Sequence, residues 1–170
     1  VEKNRIAQIQ VVGYPGMPIN ENRRPKAGPD DKVYELEGHY LLPGFIDSHG
    51  HIGGSGQGTP AEYVFKLWMA HGITTIRDPS AGNGLDWVLD QKKRSAANEI
   101  TAPRILAYTS FGQGAKAPIT NAEQAKAWVN ENAKKGADGI KFFGANPEVM
   151  EAAISENKRI GLRSAMHHQQ

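Results

Sequence analysis

The sequence predicts an α/β fold built on a parallel sheet. Three observations carry that prediction. Short β-branched or apolar runs near residues 45–46, 72–78, 104–108, 138–143 and 161–168 alternate with stretches of helical periodicity. Each passage from one run to the next is long enough for a crossover helix, which parallel neighbours require. The 170 residues are 39% apolar and 22% charged, a composition that supports a packed core.

Upstream of the first run, residues 5–12, 33–36 and 39–42 are strand candidates. A Pro-, Gly- and charge-rich loop separates the first two, and Glu37-Gly38 forms a turn between the others. They suit a small sheet over residues 1–42. Thr59-Pro60-Ala61-Glu62 has the form of a capping box opening the first helix, which runs towards Gly72. The β-branched run 72–78 ends in Arg77-Asp78 before Pro79, and residues 85–98 form the next helix around Trp87, Val88 and Leu89. After the run 104–108 comes a Gly-rich loop, then a second capping box at Thr120–Glu123 and a helix ending at Gly136. Residues 138–143 are the fourth strand, 147–159 a helix and 161–168 the fifth strand.

Leu41-Leu42-Pro43-Gly44-Phe45-Ile46-Asp47-Ser48-His49-Gly50-His51-Ile52 is the most specific string in the chain. Pro43-Gly44 breaks the backbone, Phe45-Ile46 restarts it as a buried strand, and the two histidines stand where that strand ends. Strand side chains alternate, so His49 and His51 share a face, about 6–7 Å apart along the strand. Two neutral imidazoles so placed can grip one metal ion. Gly53–Gly58 lacks the Gly-Lys-Ser/Thr ending of a phosphate loop and reads as a mobile loop at the mouth of the site.

This string resembles the start of the barrel in the amidohydrolase superfamily. The resemblance implies a (β/α)8 TIM-type barrel, of which residues 43–170 would be about the first five strand-helix units. Residues 1–42 would be part of the family's small β-sandwich. His49 and His51 would be metal ligands. Asp78, at the end of the second strand, would orient a ligand or contact substrate, with Arg77 free to pair with a carboxylate. Lys141 is expensive in a strand with Ile140, Phe142 and Phe143 unless something pairs with it. Its Gly-Ala-Asp-Gly-Ile-Lys context resembles the family's fourth strand, whose lysine is carboxylated by CO2 to bridge two divalent ions, with zinc the best match. On the fifth strand, His167 shares a face with Arg163 and Ala165 and aligns with the family's next metal-binding histidine; His168 would be outward-facing or behind the ligands. The family's sixth-strand His and eighth-strand proton-shuttle Asp would lie beyond residue 170.

The resemblance implies a metal-dependent hydrolase that cleaves the C–N bond of a small amide, such as a dipeptide, an N-acyl amino acid or a cyclic amide. The segments look most like the branch of Xaa-Pro dipeptidases and imidazolonepropionase-like enzymes. Alternatives are a deaminase or lactonase on the same scaffold, or a barrel that has become a binding protein. Lys and Arg total 20 against 18 acidic residues, which leaves no electrostatic footprint for nucleic acid or an anionic membrane. A small-molecule substrate is the expected partner, and a homo-oligomer is compatible. Without cysteine there is neither disulfide nor thiolate site, so any metal must sit on His, carboxylate or a modified residue. The compartment stays open between cytoplasm and export with a removed signal.

Overall fold

The computed structural model describes residues 1–2 and 5–167, which fall into two compact units, Val1–Leu42 and Pro43–Gln170. Among the described residues of the first unit there is a one-turn 3-10 helix, Glu21–Arg23, capped by the Asn20 side chain, and an isolated bridge between Glu2 and Arg5. The strands expected at 5–12, 33–36 and 39–42 are not formed there. A strand is held by hydrogen bonds to a neighbour, and here Ile6, Ile9, Val33, Tyr34, Leu41 and Leu42 all remain exposed, with no sheet to bury them.

The second unit follows the predicted alternation: β1 (Phe45–Asp47), α1 (Ala61–Ala70), β2 (Ile73–Asp78), α2 (Leu85–Ala96), β3 (Arg104–Ser110), α3 (Ala122–Lys135), β4 (Gly139–Phe142), α4 (Pro147–Arg159) and β5 (Arg163–Met166). All four strand pairings are parallel, in the order β1-β2-β3-β4-β5, and the sheet curls as half a barrel with helices between its strands. Gly72 and Gly136 stop α1 and α3 with φ of +77° and +108°, values that a side chain would disfavour. The capping boxes are realised differently from expectation. At α1 the cap is Pro60 without a side-chain bond, while the Thr59 hydroxyl donates to the Gln57 carbonyl. At α3 the cap moves one residue on, to Asn121, whose side chain accepts from the Gln124 N–H at 2.9 Å.

One face of the sheet is covered by the helices. Ile76, Ile105 and Ala107 pack with Phe65, Leu85 and Val88. Ile140 and Phe142 pack with Ala125, Trp128, Val129, Val149 and Ala153. Each such large side chain removed from water contributes about 1.5–3 kcal/mol. Asp138 ties the layers together: its carboxylate accepts from Lys92 on α2 at 2.7 and 2.8 Å and from the Ala107 N–H at 2.7 Å. Because Ile140 and Phe142 face the helices, Gly139 and Lys141 face the other way, into the hollow of the half-barrel. Phe45 and Ile46, on the edge strand β1, are 62% and 69% exposed.

Two predictions follow from this packing. A Cβ on Gly139 would lie 2.5 Å from the Tyr108 ring and 2.6 Å from the Arg163 carbonyl oxygen. Gly139→Ala should therefore cost about 1–3 kcal/mol through overpacking, read as a lower urea midpoint. Between α3 and α4, hydrogen bonds from Arg159 and Asn130 hold the Glu156 carboxyl at about 2, below its ordinary 4.5. That depressed value stabilises the fold above pH 4.5, and the contribution is lost as pH falls towards 2. Glu156→Gln should flatten this acid limb of a stability-versus-pH curve, and an unchanged limb would refute the assignment.

Candidate metal centre

The chemistry-bearing residues lie at the C-terminal ends of the strands and on the loops that follow. β1 stops at Asp47, two residues earlier than the His-Gly-His run needs for strand alternation. A bend brings the histidines together instead. The Asp47 carboxylate accepts the His49 N–H at 2.9 Å, and the Gly50 N–H donates to the Arg77 carbonyl on β2 at 3.1 Å. The imidazoles stand edge to face with centroids 5.5 Å apart.

Lys141 is 3% exposed. Among the described residues its amine has neither a carboxylate partner nor a hydrogen-bond acceptor; it lies over the Phe143 ring, 5.4 Å from the centroid. The ring of Phe143 also stacks on His167, at 5.1 Å between centroids. β5 ends at Met166, and His167 sits one residue beyond it, pinned by its N–H to the Phe142 carbonyl at 2.9 Å. With Ala165 paired to Lys141, strand alternation puts Lys141, Phe143 and His167 on the same side of the sheet. His168 lies outside the described residues.

The electrostatics of His49 show that these groups share one neighbourhood. Its pKa is lowered first by burial and then by the positive fields of Lys141, His51, Arg77 and His167. The neutral imidazole, which is the metal-binding form, is thereby favoured. Asp78 is buried against His51, with Oδ1 3.7 Å from Nδ1. Burial pushes its carboxyl up, and N–H bonds from Ser80 and Ala81 oppose that shift. Arg77 does not form the ion pair the sequence allows. Its guanidinium lies 5.3 Å over the Tyr108 ring, and its buried Nε has no partner among the described residues.

No three His, Asp or Glu side chains among the described residues gather tightly enough to hold an ion alone. The donor chemistry nevertheless fits a cation that carries its own anionic ligand. The His49 imidazole is favoured in its neutral form, and the buried Lys141 stands near it with no counter-ion among the described residues. Sequence reasoning missed Ser80, whose hydroxyl lies 3.5 Å from His51 Nδ1. Its only signal was its place just after the strand-ending Asp78-Pro79 pair.

No family model matches the sequence. The chain is 32% identical over 148 residues to an adenine deaminase of Bacillus velezensis, an alignment covering 81% of this chain and 25% of that protein. Among solved structures, a bottromycin amidohydrolase superposes with a TM-score of 0.56 at 21% identity, over 75% of this chain and 28% of the other. A Xaa-Pro dipeptidase with bound methionine in the active site gives 0.52 at 24% identity, over 74% and 43%. The chain thus spans about a quarter of the length of the deaminase it matches. With the Leu41–Ile52 string, the ordered parallel sheet and these likenesses in hand, the chain belongs to the amidohydrolase superfamily.

Proposed function

We propose that this chain forms part of a metal-dependent hydrolase that cleaves a C–N bond in a small amide. The observation that carries this reading is Lys141, a buried amine with no anion beside it among the described residues. In its neutral form the amine could add its lone pair to CO2: the N–C bond forms as one C–O π bond opens and one proton leaves, giving a carbamate whose single negative charge is shared by two oxygens. His49, His51, His167 and the carbamate on Lys141 would hold the divalent ions. Asp78 would keep the His51 ring in place from behind. When bound, such ions acidify a water and polarise a carbonyl, zinc being well suited to both. Residues 1–42 would belong to a small β-sandwich completed by strands outside them.

The adenine deaminase relative favours a second reading, in which the bond cleaved joins an amino group to a heterocycle. Incubating the complete protein with dipeptides, N-acyl amino acids and adenine separates the two: released amino acid supports the amide reading, and ammonia from adenine the deaminase.

Lys141→Ala tests the centre itself. Removing the carbamate should lower metal content and specific activity together in the folded fraction, and small carboxylic acids that enter the vacated space should restore part of both. A lysine serving only the fold would behave otherwise, reducing stability while the remaining folded protein kept its ions and turnover. Wild-type metal content in the folded Lys141→Ala protein, measured by elemental analysis, would defeat the carbamate.

A further inference from the structure

The turn after β2 carries more constraint than a connecting loop needs. Ala81 is fully buried with φ of +45°, a left-handed conformation that a side chain disfavours. Something must hold it there. Its N–H donates to Asp78 Oδ1 at 3.3 Å, and its carbonyl accepts from the Gly84 N–H at 2.7 Å.

A third hold comes from another strand's loop. Gln113, in the segment after β3, donates from Nε2 to the Ala81 carbonyl at 3.0 Å. Its Oε1 accepts from the Thr109 hydroxyl at 2.8 Å and the Ser110 N–H at 3.4 Å, so the side-chain amide is fixed at both ends. The Gln113 backbone carbonyl is itself pinned by the Trp128 indole N–H at 3.2 Å. Beside it, the Ser110 hydroxyl donates to the Ser80 carbonyl at 3.3 Å. The end of β3 therefore grips two successive carbonyls of the β2 turn. The residues between those grips and His51 are Ser80, whose hydroxyl is 3.5 Å from Nδ1, and Asp78, 3.7 Å from the same nitrogen.

We propose that Gln113 is a positioning residue for the metal centre: by locking the strained Ser80-Ala81 turn, it holds Ser80 and Asp78 against His51 Nδ1 and so leaves Nε2 as the ligand atom. The inference rests on the reading of His51 as a metal ligand. Gln113 touches neither metal nor substrate. Its effect passes through the Ala81 carbonyl. An imidazole held at one nitrogen keeps one tautomer and one orientation, and loss of such support commonly weakens metal affinity 10–100-fold.

The test uses the complete protein and Gln113→Glu. Glutamate is nearly isosteric and keeps an acceptor for Thr109 and Ser110, but it has no N–H for Ala81. Zinc affinity, measured by competition with a chromophoric chelator, should fall about tenfold. Long-range 15N–1H spectra of the metal-free protein should show His51 passing from a single Nδ1–H tautomer to a mixture. Gln113→Leu, which removes both ends of the clamp, should weaken zinc at least as much. Should that variant fold poorly, Gln113→Glu alone decides. Zinc affinity and tautomer both unchanged in Gln113→Glu would overturn the positioning role while leaving the metal reading intact. A wild-type protein that takes up no divalent ion would overturn the metal reading, and this inference with it.

Discussion

The buried amine of Lys141 governs what surrounds it, because a cation cannot be taken out of water at low cost unless it meets an anion or gives up its charge. β4 leaves no room for evasion. Ile140 and Phe142 commit the strand to the helix-side core, Gly139 lets the Tyr108 ring approach, and Ala165 of β5 lies alongside Lys141. The side chain is therefore delivered to the inner face by the register of the sheet, where it is 3% exposed. Chemistry at the amine, or an anion brought to it, is the remaining outlet.

The same excess of positive charge extends across the hollow. His49 feels Lys141, His51, Arg77 and His167, all of which oppose its protonation. Arg77 rests on an aromatic face, and its Nε has no partner among the described residues. Asp47 accepts the His49 N–H and Asp78 lies 3.7 Å from the His51 ring, where burial disfavours its ionised form. Such an arrangement repels further protons and attracts anions. The neutral form favoured at His49 answers that demand, and under the proposed function a carbamate on Lys141 would answer it too.

Much of this was legible in the sequence because strand alternation is strict. The placing of His167 on one face with Ala165 needed only a period of two. Helix ends at Gly72 and Gly136 were legible for a similar local reason, the positive φ that glycine tolerates. What failed was non-local. Strands in residues 1–42 depend on partners that a propensity reading cannot supply. The pairing of His49 with His51 comes from a bend tied to the Arg77 carbonyl, which one strand's sequence does not disclose. Gln113 looked like loop filler, since its meaning lies in a carbonyl 32 residues away.

That last gap bears on how the site is held. Residues from three successive strand ends meet through backbone carbonyls: Arg77 receives Gly50, Ser80 receives Ser110, and Ala81 receives Gln113. Asn83 completes the set by donating to the Gly53 carbonyl. Carbonyl acceptors are independent of side-chain identity, so this lacing constrains the loops' positions while leaving their side chains free to vary. A barrel mouth built this way can keep its ligand geometry while substrate-facing residues change.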